Sequence, residues 1–80
     1  MKLLLPPLTS VQLKEIRQDL DLTQREFCNK YGFSIHSWKS WESGRRMPDN
    51  GNRLLLHMIK IDPQRISRII REILATTKTL

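Results

Sequence analysis

TQREFCNKYGFSIHSWKSWE, residues 23–42, is the stretch whose reading decides the fold. Thr23 is followed three residues later by Glu26, the spacing of a capping box, in which each side chain satisfies a free backbone N–H at the start of a helix. The helical pattern that begins there ends at Tyr31-Gly32, because Gly32 can take the left-handed conformation that stops a helix without steric cost. Phe33 then bridges to Ser34, a second N-cap, and a second helical pattern runs to Ser43-Gly44. Inside it Trp38 and Trp41 stand three apart and point inward. Two tryptophans can also stack on the bases of a single strand. At helical spacing beside Phe27 and Phe33 they read as core instead. Phe27 and Tyr31 form the inner face of the first helix, and the small Cys28 beside them lets the two helices approach closely. Nothing basic or metal-binding is spaced to activate that thiol.

Two helices of about two to three turns, joined by a short turn containing Gly, make a helix-turn-helix, the motif of DNA-binding proteins. The outer face of its second helix carries Ile35, His36, Ser37, Lys39 and Ser40.

Outward from the motif, the chain divides into an extended arm over residues 1–8, a helical domain over 9–75 and a frayed tail over 76–80. Pro6-Pro7 push their neighbours away from helix. Thr9, with Gln12 three residues on, caps a helix over about 9–20, with Leu13, Ile16 and Leu20 on one face. Asp21 ends it, since Asp tolerates the left-handed state better than most residues. The motif's helices span about 23–31 and 34–43. After the basic turn Gly44-Arg45-Arg46-Met47-Pro48-Asp49, a fourth helix over about 50–61 is apolar across a wider arc than one core stripe needs. Asp62-Pro63, an N-cap with Pro at the first helical position, starts a fifth over about 63–75. The excess on the fourth helix suggests either a fully buried helix or a partner subunit; taken with the apolar face of the fifth helix it predicts a homodimer joined through Leu54, Met58, Ile61, Ile66, Ile69, Ile70 and Ile73.

Eighty residues suit one small domain with a single core. With 14 Lys+Arg against 8 Asp+Glu, the net charge is +6 and the pI near 10.1. Such a balance points to a polyanionic partner, nucleic acid or an anionic membrane, against the bland reading of a merely soluble basic domain. One cysteine excludes an internal disulfide framework and suits a reducing cytosol. MKLLLPP is too short for a signal-peptide apolar core, and no stretch approaches a membrane span, so a soluble, cytoplasmic protein is expected. No paired carboxylates, Ser-His-Asp set or phosphate-cradling loop is present, and the chain is too small for an enclosed active site, so no enzyme is expected. No metal or other cofactor is expected either, since neither His36 nor His57 pairs with Cys28 at metal-site spacing.

Leu22-Thr23-Gln24, Phe27-Cys28, Gly32-Phe33-Ser34 and above all Trp41-Glu42-Ser43-Gly44-Arg45-Arg46-Met47-Pro48 resemble the Cro/C1-type (XRE) helix-turn-helix regulators. The longer run WESGRRMPDNGNRLLLHMIKIDP is similar to the branch that holds the HigA-type antitoxins. The resemblance covers roughly residues 13–63 and implies an all-α, five-helix lambda-repressor-like DNA-binding domain. It implies that Gln24 hydrogen-bonds a DNA phosphate, which the anion-attracting helix N-terminus there also favours. Arg25 and Ser34 join Gln24 in that set. Base reading is implied for Ile35, His36 and Ser40, with Ser37 and Lys39 alongside, and a structural ion pair for Arg17 with Glu42. The sequence departs from the branch at His36, where an Arg is common, and at Ile35, which can touch only a thymine methyl or pack. Its N-terminal arm is also short.

Each site has a plainer alternative. His36, two residues after an N-cap, reads as a DNA contact rather than a solvated side chain. Arg45 and Arg46, directly after the reading helix, read as phosphate or minor-groove contacts rather than a solvated turn. Arg65, Arg68 and Arg71 read as a solvated face, and His57 as a packed or surface residue. The expectation is thus a homodimeric repressor on a palindromic double-stranded operator, its two reading helices about 34 Å apart. The alternative is an antitoxin that also binds a small toxin protein. A third reading, membrane attachment through the amphipathic fifth helix, rests on that helix alone.

Overall fold

Each helix starts where a short polar side chain can take up its free N–H groups. The computed structural model describes residues 4–78, so residues 1–3 of the expected arm and 79–80 of the expected tail lie outside it. The elements are α1 (Ser10–Gln18), α2 (Gln24–Tyr31), α3 (Ile35–Glu42), α4 (Asn50–Ile61) and α5 (Pro63–Lys78). With no strand among the described residues, the fold is all-α with five helices.

Thr9 and Thr23 form reciprocal capping boxes with Gln12 and Glu26, with hydrogen bonds of 2.9 and 3.1 Å in each. Ser34 accepts from the Ser37 N–H, and Asp49 accepts from the Asn52 N–H at 2.9 Å. Asp62 both receives the end of α4 and caps α5, accepting from the Arg65 N–H at 3.1 Å.

Two left-handed residues bound α2. Asp21 has φ +58° and Gly32 has φ +82°. The first ends α1 at Gln18, earlier than the apolar spacing of Leu20 suggests. The chain must reverse there, and the Leu20 and Asp21 N–H groups fold back onto Arg17 and Gln18 carbonyls. At the other end of the molecule, α5 continues through 76–78, which the composition of the tail assigns to fraying. The hydroxyls of Thr76 and Thr77 donate to the Glu72 and Ile73 carbonyls one turn back, at 2.9 and 2.8 Å.

The core sits where α3 packs against α1 and α2, and where α5 packs against α4 and α2. Trp38 and Phe27 are fully buried at its centre, with ring centroids 4.6 Å apart. Phe33 stacks on Phe27 at 5.8 Å, and Trp41 meets Phe33 edge-on at 5.8 Å. Such pairs each add about 0.5–1.5 kcal/mol beyond the area they bury. Leu56 and Ile59 close the core from α4, and the Tyr31 hydroxyl donates to the Pro63 carbonyl at 3.0 Å, tying the end of α2 to the start of α5. The arm contributes too. Leu8 is 3% exposed within this core, and the His57 ring lies 2.9 Å from the Pro6 carbonyl.

Candidate nucleic-acid interface

One carboxylate ties α1 and α2 to the end of α3. Glu42, at the end of α3, accepts from Arg17 Nε and Nη2 at 2.9 Å each, from Gln24 Nε2 at 3.2 Å, and from the Trp38 indole N–H. Arg17 Nη1 donates onward to the Leu22 carbonyl at 2.9 Å. The Arg17 and Glu42 side chains, paired by the family resemblance, are only 13% and 6% exposed. Burial alone would push the Glu42 carboxyl up, but the hydrogen bonds from Arg17, Gln24 and Trp38 outweigh it and hold its pKa below the ordinary value. The same contact raises Arg17. Three helices therefore converge on a group that stays ionised.

Gln24 is thus engaged through its amide nitrogen with Glu42, which leaves its backbone N–H, at the first position of α2, directed out of the helix start. Arg25 is exposed beside it. Ser34 is exposed but spends its hydroxyl on capping α3.

On the outer side of α3, His36 and Lys39 are exposed, while Ser37 and Ser40 are half-buried. Ile35 is half-buried and packs on the hydrophobic core. The turn after α3 is fixed by the Ser40 carbonyl, which accepts from the Arg45 and Arg46 N–H groups at 2.9 and 3.3 Å and from the Ser43 hydroxyl at 3.0 Å. Gly44, with φ +80°, permits that wrap. As a result His36, Lys39, Ser40, Ser43 and Arg45 line one open polar hollow. Arg46 is exposed on the same turn but outside that hollow, and the half-buried Ser37 of α3 also lies outside it. Ser43 is the member of this hollow that the sequence reading misses. Its signal is the helical spacing 36, 39, 40, 43, which continues the outer stripe to the very end of the helix.

Of the apolar residues assigned to a dimer contact, Ile66 and Ile70 pack partly on the chain's own core. Leu54, Met58, Ile61, Ile69 and Ile73 remain exposed, Ile61 at 84%. Burial pushes the Cys28 thiol up, away from reactivity. Among the described residues no cluster of three or more His, Cys, Asp or Glu side chains is arranged to hold a metal ion, and no helix is long and apolar enough to cross a membrane.

A tight Gly turn between two short helices, with a polar and cationic outer face on the second, defines a helix-turn-helix module set in an all-α domain. A solved helix-turn-helix XRE-family-like protein from Agrobacterium tumefaciens is 33% identical to this chain and superposes with a TM-score of 0.71, covering 79% of this chain and 98% of that one. The chain belongs to the XRE family of helix-turn-helix proteins. No family model and no curated protein matches it.

Proposed function

We propose that the protein is a DNA-binding transcriptional regulator that lays α3 in the major groove of a double-stranded operator. The observation that carries this reading is the hollow of His36, Lys39, Ser40, Ser43 and Arg45, polar and cationic, on the exposed side of a helix whose opposite side is locked into the core. Base edges meet His36, Ser37, Lys39 and Ser40, with Ile35, which has no hydrogen-bonding group, limited to a thymine methyl. The start of α2 at Gln24 and Arg25, the start of α3 at Ser34, and the turn at Arg45 and Arg46 hold phosphates. The net charge of +6 supplies the attraction that any sequence feels.

The regulator acts as a homodimeric repressor through its exposed α4–α5 apolar residues, on a palindromic site. Occlusion of a promoter by two reading helices needs no further domain. The same apolar surface also supports an alternative, antitoxin activity toward a small toxin protein, in line with the resemblance of residues 41–63 to the HigA-type branch. Selection of bound sequences from a random pool of duplexes tests the main reading. Enrichment of an inverted repeat is expected; recovery of no enriched sequence at moderate salt would sink it. Co-purification of a small basic protein encoded beside this chain would instead favour the antitoxin.

A further inference from the structure

α5 has two faces. Pro63, Ile66, Ser67 and Ile70 turn toward the body of the protein, and Ser67 is 6% exposed. A second stripe, Arg65, Ile69, Glu72 and Ile73, lies within about 100° of helical arc and faces outward. Ile69 and Ile73 are 42% and 58% exposed. Arg65 and Glu72 are both exposed, and their side chains form no ion pair among the described residues.

The order of charges along this stripe selects its occupant. It reads basic, apolar, acidic, with Arg65 and Glu72 seven residues and thus about two turns apart. We propose that the stripe pairs with the same stripe of a second copy, antiparallel about a two-fold axis, so that Arg65 of each chain faces Glu72 of the other. This rests on the homodimer reading above and adds its geometry. The midpoint between positions 65 and 72 falls half a residue, about 0.75 Å along the axis, from Ile69. One two-fold axis therefore seats Ile69 against its own copy and closes both ion pairs, as an isologous contact requires. A parallel arrangement would set Arg65 on Arg65 and Glu72 on Glu72. An anionic membrane would attract one end of the stripe and repel the other.

The surface relief fits the same axis. Ile69 is shared by two open hollows, one lined by Met58, Ile61 and Arg65, the other by Glu72, Ile73 and Thr77. The two-fold lays the first hollow of each copy over the second of its partner, which covers Ile61.

Sedimentation of the full-length chain and its charge variants tests the pairing. Wild type is expected to dimerise. Arg65→Glu and Glu72→Arg each convert both contacts to like charges and should weaken the dimer about tenfold or more. The double variant should regain it, and an equimolar mixture of the two single variants should form the dimer that neither forms alone. Circular dichroism reports that the variants stay folded. A wild-type dimer untouched by either single change would overturn the antiparallel seam while leaving dimerisation intact. Loss in the singles without recovery in the double would overturn the charge pairing. A wild type that stays monomeric at high concentration, with and without bound DNA, would remove the dimer reading itself.

Discussion

Arg17 and Glu42, 25 positions apart in the chain, are joined by two 2.9 Å hydrogen bonds in a fork that ties α1 to the end of α3. Both side chains are largely buried, so neither charge can turn to water if the other is removed. Arg17→Ala should therefore destabilise the protein by about 3–5 kcal/mol, read from urea unfolding. Glu42→Gln keeps the shape and part of the hydrogen bonding but strands the guanidinium, and should also lose stability. A cost under about 1 kcal/mol for Arg17→Ala would mean the pair behaves as a surface contact.

The same pair sets an acid limit. The Glu42 pKa is lowered in the folded protein from an ordinary value of 4.5. Stability from this carboxylate is accordingly present above the unfolded pKa and is lost as pH falls through the folded one. Unfolding free energy should hold level from neutrality to about pH 5 and then fall. Glu42→Gln should flatten the fall. It should leave a residue from Glu26, whose pKa is lowered by its hydrogen bonds to the Thr23 backbone and hydroxyl.

Two positions with left-handed backbone should respond in opposite directions. Beyond Gly32 and its two chain neighbours, no atom lies within 4 Å of the place a methyl group on Gly32 would occupy, so Gly32→Ala meets only the backbone penalty and should cost about 1–2 kcal/mol. Asp21→Gly removes that penalty and should be neutral or stabilising by up to about 1 kcal/mol. Thermal unfolding of the two variants beside wild type checks the signs.

Leu8 should matter as much as a helix residue. Leu8→Ala should cost about 2–5 kcal/mol, because it opens a cavity in the core from a segment without secondary structure. Leu4→Ala, at a side chain 84% exposed, serves as the control and should change little.

On DNA, affinity should fall steeply with salt as bound cations are released from the duplex. His36→Ala should narrow the preference for the selected operator over a mismatched one, by about tenfold. Arg45→Ala should weaken all duplexes alike and lower the salt slope by about one unit. Binding curves at several salt concentrations separate the two, and the reverse pattern would mean that a different side of α3 faces the bases.

Features set by near neighbours are legible in the sequence. Thr9, Thr23 and Ser34 cap the helices they precede because a cap involves residues three apart. The inward Trp38 and Trp41 follow from helical spacing alone. Leu8 is not legible, because an extended arm carries no period and its burial depends on where α4 lies. The shared use of the Gln24 amide by Glu42 is hidden for the same reason, since it joins residues 18 apart. The exposed stripe of α5 is half visible: its apolar residues can be counted, but Ile66 and Ile70 pack inward while Ile69 and Ile73 do not. Ser43 escapes because, next to Gly44, it reads as a helix end rather than as part of the outer face.

The convergence on Glu42 also limits how the protein can move. Arg17 and Gln24 reach that carboxylate, on α3, from α1 and α2, so α3 cannot roll about its own axis without breaking three hydrogen bonds together. Amide hydrogens in these three helices should thus exchange as one cooperative unit rather than fray one by one. If α3 reads a duplex as proposed, adaptation to an imperfect site should come chiefly from long exposed side chains such as Lys39 and Arg45, with the rest from bending of the DNA.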